Sequence, residues 1–198
     1  MILQVSRFDR FKDPVGVIQA YHLAKQFVPS LQLVLAGPDP TSIQDDPEGQ
    51  EVMAELHAAY GELDPRLQDD IAVVTLPMSS LQHNALIVNA LQRASTLVVQ
   101  NSLREGFGLT VTEAMWKRVP ILSNSKACGP RQQVRDGRDG RLIADPEDPD
   151  ELAHAMNEML ADAEGRDAWG QSAQRRAHQK FLVFSQLRAW IRLFAELV

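Results

Sequence analysis

Two segments of this 198-residue chain carry side chains whose types and spacing suit an anionic ligand rich in hydroxyls. The first is Ser6-Arg7-Phe8-Asp9-Arg10-Phe11-Lys12-Asp13-Pro14. It follows a short apolar run and leads into a helix, so Arg7 and Lys12 fall in a strand-to-helix loop beside a helix N-terminus, a combination that suits a phosphate or diphosphate. By position alone the segment reads equally as a solvated loop with incidental charges. The second segment is Glu105-Gly106-Phe107-Gly108-Leu109-Thr110-Val111-Thr112-Glu113. Gly106 and Gly108 let the backbone approach a ligand closely. The amides of Phe107 to Thr110 point out of a helix start, where anions bind. Glu105 and Glu113 accept hydrogen bonds from hydroxyls, which phosphates lack. The plainer alternative for both glutamates is helix-dipole stabilisation, worth less than ~1 kcal/mol each.

Placing these segments is the task of the apolar runs 2–5, 31–36, 71–76, 96–99, 119–122 and 141–143. Most are continuous rather than alternating, as a parallel sheet covered on both faces requires. Helical periods separate them. One starts at the Asp13-Pro14 cap and carries Val17, Tyr21, Ala24 and Val28 on one face. A second covers 47–60, after an acidic loop over 37–46, and a third follows Ser79 or Ser80. A fourth opens after Gly108. The alternation predicts a doubly wound, Rossmann-like α/β domain of about six parallel strands, with ligands at the carboxyl ends of the strands. From about Pro149 three helices follow without a strand, and the expectation is that residues 149–198 close the domain. The last helix carries Phe184, Leu187, Trp190, Ile191, Phe194, Leu197 and Val198, an apolar stripe that needs a surface to pack against.

Composition excludes several functions. A net charge of −6 with no run of consecutive Lys or Arg argues against general attraction to nucleic acid or anionic membrane. No segment approaches the ~20 apolar residues of a membrane span. A single cysteine, Cys128, rules out an internal disulfide framework and a multi-cysteine zinc site, and it reads as a small packed thiol. Asp148-Pro149-Asp150 reads as a helix cap rather than a metal motif. His22, His57, His83, His154 and His178 are scattered without ligand spacing. Met1-Ile2-Leu3-Gln4-Val5 is too short and uncharged for a signal peptide, and the abrupt start suggests part of something longer.

The string Ser6-Arg7-Phe8-x3-Lys12-Asp13, followed by Glu105-Gly-Phe-Gly-Leu-x3-Glu113, resembles the C-terminal half of a retaining glycosyltransferase of family 4 with the GT-B fold. Nearly the whole chain is covered by the resemblance. Residues 89–95 and 102–117 look most like the trehalose synthases that join a nucleotide-activated glucose to glucose, with trehalose phosphorylases as close neighbours. The resemblance implies one donor-binding domain over residues 1–198. In it Arg7 and Lys12 hold the diphosphate as it leaves. Glu105 faces the donor sugar, and Glu113 binds the ribose hydroxyls. The backbone of Gly106, Phe107, Gly108, Leu109 and Thr110 meets sugar and phosphate, and Leu76 and Pro77 lie near the base. The resemblance further implies an NDP-glucose donor, no cofactor and no metal, a cytoplasmic protein, and an acceptor sugar bound through a half that this chain lacks. Two alternatives stay open: a phosphorylase-type enzyme, and a non-catalytic module that self-associates or docks through its last helix. One departure stands out: in Ser125-Lys126-Ala127-Cys128-Gly129-Pro130-Arg131, Cys128 occupies the place of a first glycine, which bears on close backbone approach there.

Overall fold

The computed structural model describes residues 1–42 and 47–197. Residues 43–46 of the acidic loop and Val198 of the terminal stripe lie outside them. Strands β1 (Ile2–Val5), β2 (Leu33–Pro38), β3 (Ile71–Leu76), β4 (Leu97–Gln100), β5 (Ile121–Asn124) and β6 (Gly140–Ile143) form one parallel sheet in the order β3-β2-β1-β4-β5-β6. Between them run α1 (Pro14–Lys25), α2 (Pro47–Gly61), α3 (Pro65–Gln68), α4 (Leu81–Ala94), α5 (Leu109–Trp116) and α6 (Cys128–Gln133). Helices α7 (Pro149–Ala161), α8 (Ala163–Lys180) and α9 (Val183–Glu196) follow β6. This is the doubly wound order, and its direction reverses between β1 and β4.

Each strand feeds both faces of the sheet. Ile2, Leu33, Leu35, Leu97 and Val99 pack with Val17, Ile18 and Tyr21 of α1, Leu56 of α2 and Leu152 and Met156 of α7. Leu3, Val5, Val34, Ala36 and Val98 pack on the other side with Val88 of α4, Val111, Ala114 and Met115 of α5, and Ala173 and Ala177 of α8. Burying a large side chain of this kind stabilises the fold by about 1.5–3 kcal/mol, which explains why these runs are apolar throughout.

Strand ends differ from the sequence expectation in one direction. Three strands expected over 31–36, 96–99 and 119–122 end instead at Pro38, Gln100 and Asn124. The apolar run stops before the ladder does, because Gln100, Ser123 and Asn124 are buried polar residues that continue the pairing. Ser123 Oγ donates to the Gln100 carbonyl at 2.7 Å, and Asn124 Nδ2 to that of Ser102 at 2.9 Å. Helices α3 and α6, too short for a periodic signal, were not expected.

Caps fall where the sequence placed them. Asp13 adopts a left-handed conformation, φ 47°, and accepts from the Gly16 amide at 3.1 Å, with Pro14 at the first helical position. A Cβ on Gly16 would lie 2.1 Å from the Asp13 carboxylate, so a larger residue there would push the capping side chain aside. Asp148 caps α7 through the Asp150 and Glu151 amides, which uses the Asp-x-Asp motif structurally. The C-terminal helices divide: α7 and α8 bury side chains against the two cores, whereas α9 buries none. Phe184, Leu187, Trp190, Ile191, Phe194 and Leu197 are all exposed, so α9 does not close this domain. Removing residues 183–198 is therefore expected to leave the melting temperature within about 2 °C of the intact chain, since little apolar area is lost. A calorimetric fall of several times that size would show that α9 supports the core.

Candidate functional site

The loops after β1 and β4 flank the point where the strand order reverses, the place in an open α/β sheet where ligands collect. Both charged segments singled out from sequence lie there. Lys12 Nζ meets Glu105 Oε2 at 2.5 Å, and both side chains are largely shielded from water. The backbone under Lys12 is fixed from the sheet, since Gln4 Nε2 donates to the Lys12 carbonyl at 2.8 Å. Further bonds tie the loops together: the Leu103 amide donates to the Phe11 carbonyl at 2.8 Å, and the Arg104 guanidinium lies over the Phe11 ring at 5.4 Å. Asn101 Nδ2 donates to Asp13 Oδ2 at 3.0 Å and to the Pro146 carbonyl at 2.8 Å, which brings in the loop after β6.

The glycine-containing segment is positioned from behind by α6. The Gly129 amide donates to the Glu105 carbonyl at 3.1 Å, and Gln133 Nε2 donates to the Phe107 carbonyl. A Cβ on Gly129 would lie 2.2 Å from the Phe107 oxygen, so backbone passes against backbone here. The departure at Cys128 is thus absorbed by its neighbour, because the close approach belongs to Gly129. Cys128 itself is exposed, which corrects the expectation of a packed thiol. It is the first residue of α6. Phe107 also meets Phe181, at the end of α8, edge to face with centroids 6.2 Å apart. Gly108 takes φ 85° as the N-cap of α5 and, being glycine, offers no side chain to cap it. The Val111 and Thr112 amides donate to the Gly108 carbonyl, so the exposed helix start is formed by Leu109 and Thr110, where the helix dipole favours an anion.

A cleft of about 640 Å³ opens beside this helix start. Arg7, Leu109, Thr110 and Glu113 line it, together with Leu76, Met78 and Lys117. Lys12 and Glu105 form their own pair on the loops, and Gly106 and Phe107 are exposed. A hollow of about 700 Å³ between α1 and α7, walled by Leu23, Phe27 and Val28, lies away from both loops. The switch-point cleft is the stronger candidate because charge, free helix amides and topology converge there. Lys117 reaches Gln92 Oε1 at 2.8 Å, and burial lowers its pKa. Among the described residues no group of three or more His, Cys, Asp or Glu gathers as a metal site would require.

Sequence reading missed the polar residues that hold this site: Gln4, Gln100, Asn101, Asn124 and Gln133. A signal existed, since Gln100, Asn101 and Asn124 stand at or just past the carboxyl end of a strand. Asp13 also titrates abnormally. Burial, aided by the charge of Glu147, pushes its carboxyl up to about 6, although the Gly16 and Asn101 hydrogen bonds pull the other way. A folded pKa above the unfolded value means that this group's contribution to stability is fully present below pH 3.8 and is lost as pH rises to about 6. A carboxyl-carbon NMR titration should place Asp13 near that upper value; a midpoint close to 4, the ordinary range, would contradict this account of its burial.

The family model of the glycosyl transferases group 1 matches residues 1–176. The chain is 37% identical over its full length to a trehalose synthase of Rubrobacter xylanophilus, of which it covers 44%. It is 29% identical to a trehalose phosphorylase of Grifola frondosa, over 97% of this chain and 26% of that one. Anabaena HepE, solved in complex with UDP, superposes with a TM-score of 0.78 at 24% identity over 98% of this chain and 48% of that one. The chain thus spans less than half the length of these relatives. Its six-stranded sheet corresponds to one half of a GT-B fold, as the motifs implied. No helix among the described residues is long and apolar enough to cross a membrane.

Proposed function

Because this chain belongs to the group 1 glycosyl transferases, we propose that its switch-point cleft holds a nucleotide-activated glucose, and that the complete protein is a retaining transferase passing that glucose to a second glucose to form trehalose. The observation that carries this reading is the Lys12–Glu105 pair, which sets a cation and a carboxylate together at the open N-terminus of α5. A diphosphate leaving the sugar gains negative charge, and fixed cations and helix amides stabilise that charge without reorganising. Lys12 and Arg7 supply the cations, and the amides from Phe107 to Thr110 supply the dipoles. Glu105 accepts hydrogen bonds from the sugar hydroxyls and orients the ring, while Glu113, in the cleft wall, takes the ribose hydroxyls. Attack on the same face through an oxocarbenium-like state then needs no covalent intermediate on Glu105.

Support comes from two sides. Trehalose synthases of Rubrobacter and Pyrococcus furiosus are 37% and 36% identical over nearly all of this chain. HepE has been solved with UDP and with UDP-glucose. The relatives' additional length leaves room for an acceptor-binding half, so the 198-residue chain binds donor weakly and turns over little. The reading goes with a cytoplasmic location and with self-association through the uncovered face of α9. Similarity to trehalose phosphorylases favours a second reading, in which the same cleft takes glucose 1-phosphate and inorganic phosphate. Calorimetric titration with UDP-, ADP- and GDP-glucose and with glucose 1-phosphate separates the two. Heat from at least one nucleotide sugar and none from glucose 1-phosphate is expected; the reverse pattern transfers the assignment to a phosphorylase.

A further inference from the structure

The loop carrying Arg7 buries a carboxylate for which the chemistry above has no use. Asp9 is 3% exposed, and neither of its carboxylate oxygens accepts a hydrogen bond. A buried carboxylate without donors is costly. Its charged contact is Arg7, whose Nη2 lies 3.0 Å from Asp9 Oδ2 while most of the Arg7 side chain stays in solvent. The loop between them has little freedom. The Ser6 amide donates to the Ala36 carbonyl at 3.0 Å, and Phe8 is buried. A Cβ on Gly37 would lie 2.1 Å from the Ser6 carbonyl and 2.8 Å from the Phe8 ring, so the loop sits directly on that glycine. At the other end, the Lys12 amide donates to the Asp9 carbonyl at 3.0 Å. Backbone and charge together therefore confine a long exposed side chain that would otherwise sample many rotamers.

We infer that Asp9 is a positioning residue: its buried carboxylate holds the Arg7 guanidinium at the mouth of the cleft, ready for a diphosphate. This rests on the donor-binding reading, but its first test does not. In the chain without nucleotide, the Arg7 Nε–Hε NMR signal should be ordered and distinct, and Asp9→Asn should move it to the averaged position of free arginine. An unchanged signal in Asp9→Asn overturns the inference.

The second test is a double-mutant cycle on nucleoside-diphosphate affinity with Asp9→Asn and Arg7→Ala. Removing a negative charge by itself favours an anion, whereas releasing Arg7 disfavours it. Asp9→Asn should therefore weaken binding about fivefold in the wild-type background, within the range of coupled neighbours, and leave it equal or tighter when Arg7 is alanine. The same direction in both backgrounds overturns the inference, since a purely electrostatic Asp9 would strengthen binding in both and a purely structural one would weaken it in both. Thermal melts give an independent check: Arg7→Ala should lower the melting temperature by stranding Asp9, and adding Asp9→Asn should restore it. Failure of that rescue counts against the pairing. Should no nucleotide bind the wild type, the donor reading fails while the NMR test still decides the role of Asp9.

Discussion

A Gly129→Ala chain is expected to bind a nucleoside diphosphate at least tenfold more weakly than the wild type while keeping its fold. The added Cβ would lie 2.2 Å from the Phe107 oxygen and 2.4 Å from its carbonyl carbon. Both atoms are backbone, so no side-chain rotation relieves the contact. The segment from Glu105 to Gly108 must move instead, taking the carboxylate that meets Lys12 and the start of α5 with it. Tenfold corresponds to about 1.4 kcal/mol, the size of one lost hydrogen bond. Overpacking of this kind costs about 1–3 kcal/mol, against a typical domain stability of about 5–15 kcal/mol, so the fold survives. Gly61, with nothing within 4 Å of its Cβ direction, is the control; alanine there should change neither affinity nor melting. Calorimetry and thermal melts on the three chains measure both quantities. Wild-type affinity in Gly129→Ala would refute the claim that this backbone contact sets the site.

The largest loss of stability is expected from Asp139→Ala. Asp139 is fully buried in the turn before β6. It accepts from Arg135 Nε at 2.7 Å, Arg135 Nη2 at 2.8 Å, the Arg135 amide at 3.1 Å and Ser172 Oγ at 2.8 Å, with Arg176 Nε at 3.8 Å. One carboxylate thus pins α8 to the crossover between β5 and β6. Alanine would leave the part-buried Arg135 amide without its acceptor and two guanidinium groups without their anion. Because Arg135 is partly exposed and can rehydrate, the loss belongs at the lower end of the range for broken buried pairs, about 3 kcal/mol. For a chain of this size that is roughly 6–12 °C in melting temperature. Burial pushes the Asp139 carboxyl up, but hydrogen bonds from Arg135 and Ser172 outweigh it and hold the pKa below the ordinary 3.8. Its stabilisation is therefore present above that value and lost as pH falls through the folded pKa. Melts of wild type and Asp139→Ala should differ widely at pH 7, and the gap should narrow as pH falls below 3.8; a gap that stays the same size throughout the acid range would contradict the charged pair as its source.

Much of this architecture was legible because continuous apolar runs and caps have single physical readings. Ile2–Val5 reads as a strand buried on both faces and Asp13-Pro14 as a helix start, and both are so in the structure. The segments holding Arg7, Lys12, Glu105 and Glu113 stood out because charged residues and glycines at strand-to-helix junctions have few other uses. The supports of the site were less legible. Gln100 and Asn124 read as ordinary polar residues after a strand, and only tertiary contact turns them into buried donors and acceptors. The departure from pattern was read at Cys128, while the contact that matters is made by Gly129 beside it, because a glycine's partner backbone lies far away in sequence. The apolar stripe of α9 was visible, but periodicity does not say whether a surface within the chain covers it, and none does among the described residues.

The central claim is that Arg7 and Lys12 hold a diphosphate at the start of α5. Titrating UDP, ADP and GDP into the wild type and into Arg7→Ala/Lys12→Ala by calorimetry tests it directly. Two charge-assisted contacts of about 1.5–3 kcal/mol each predict that the best-bound diphosphate loses at least a hundredfold in affinity in the double variant. Equal affinity in the two chains would contradict the assignment of the cleft.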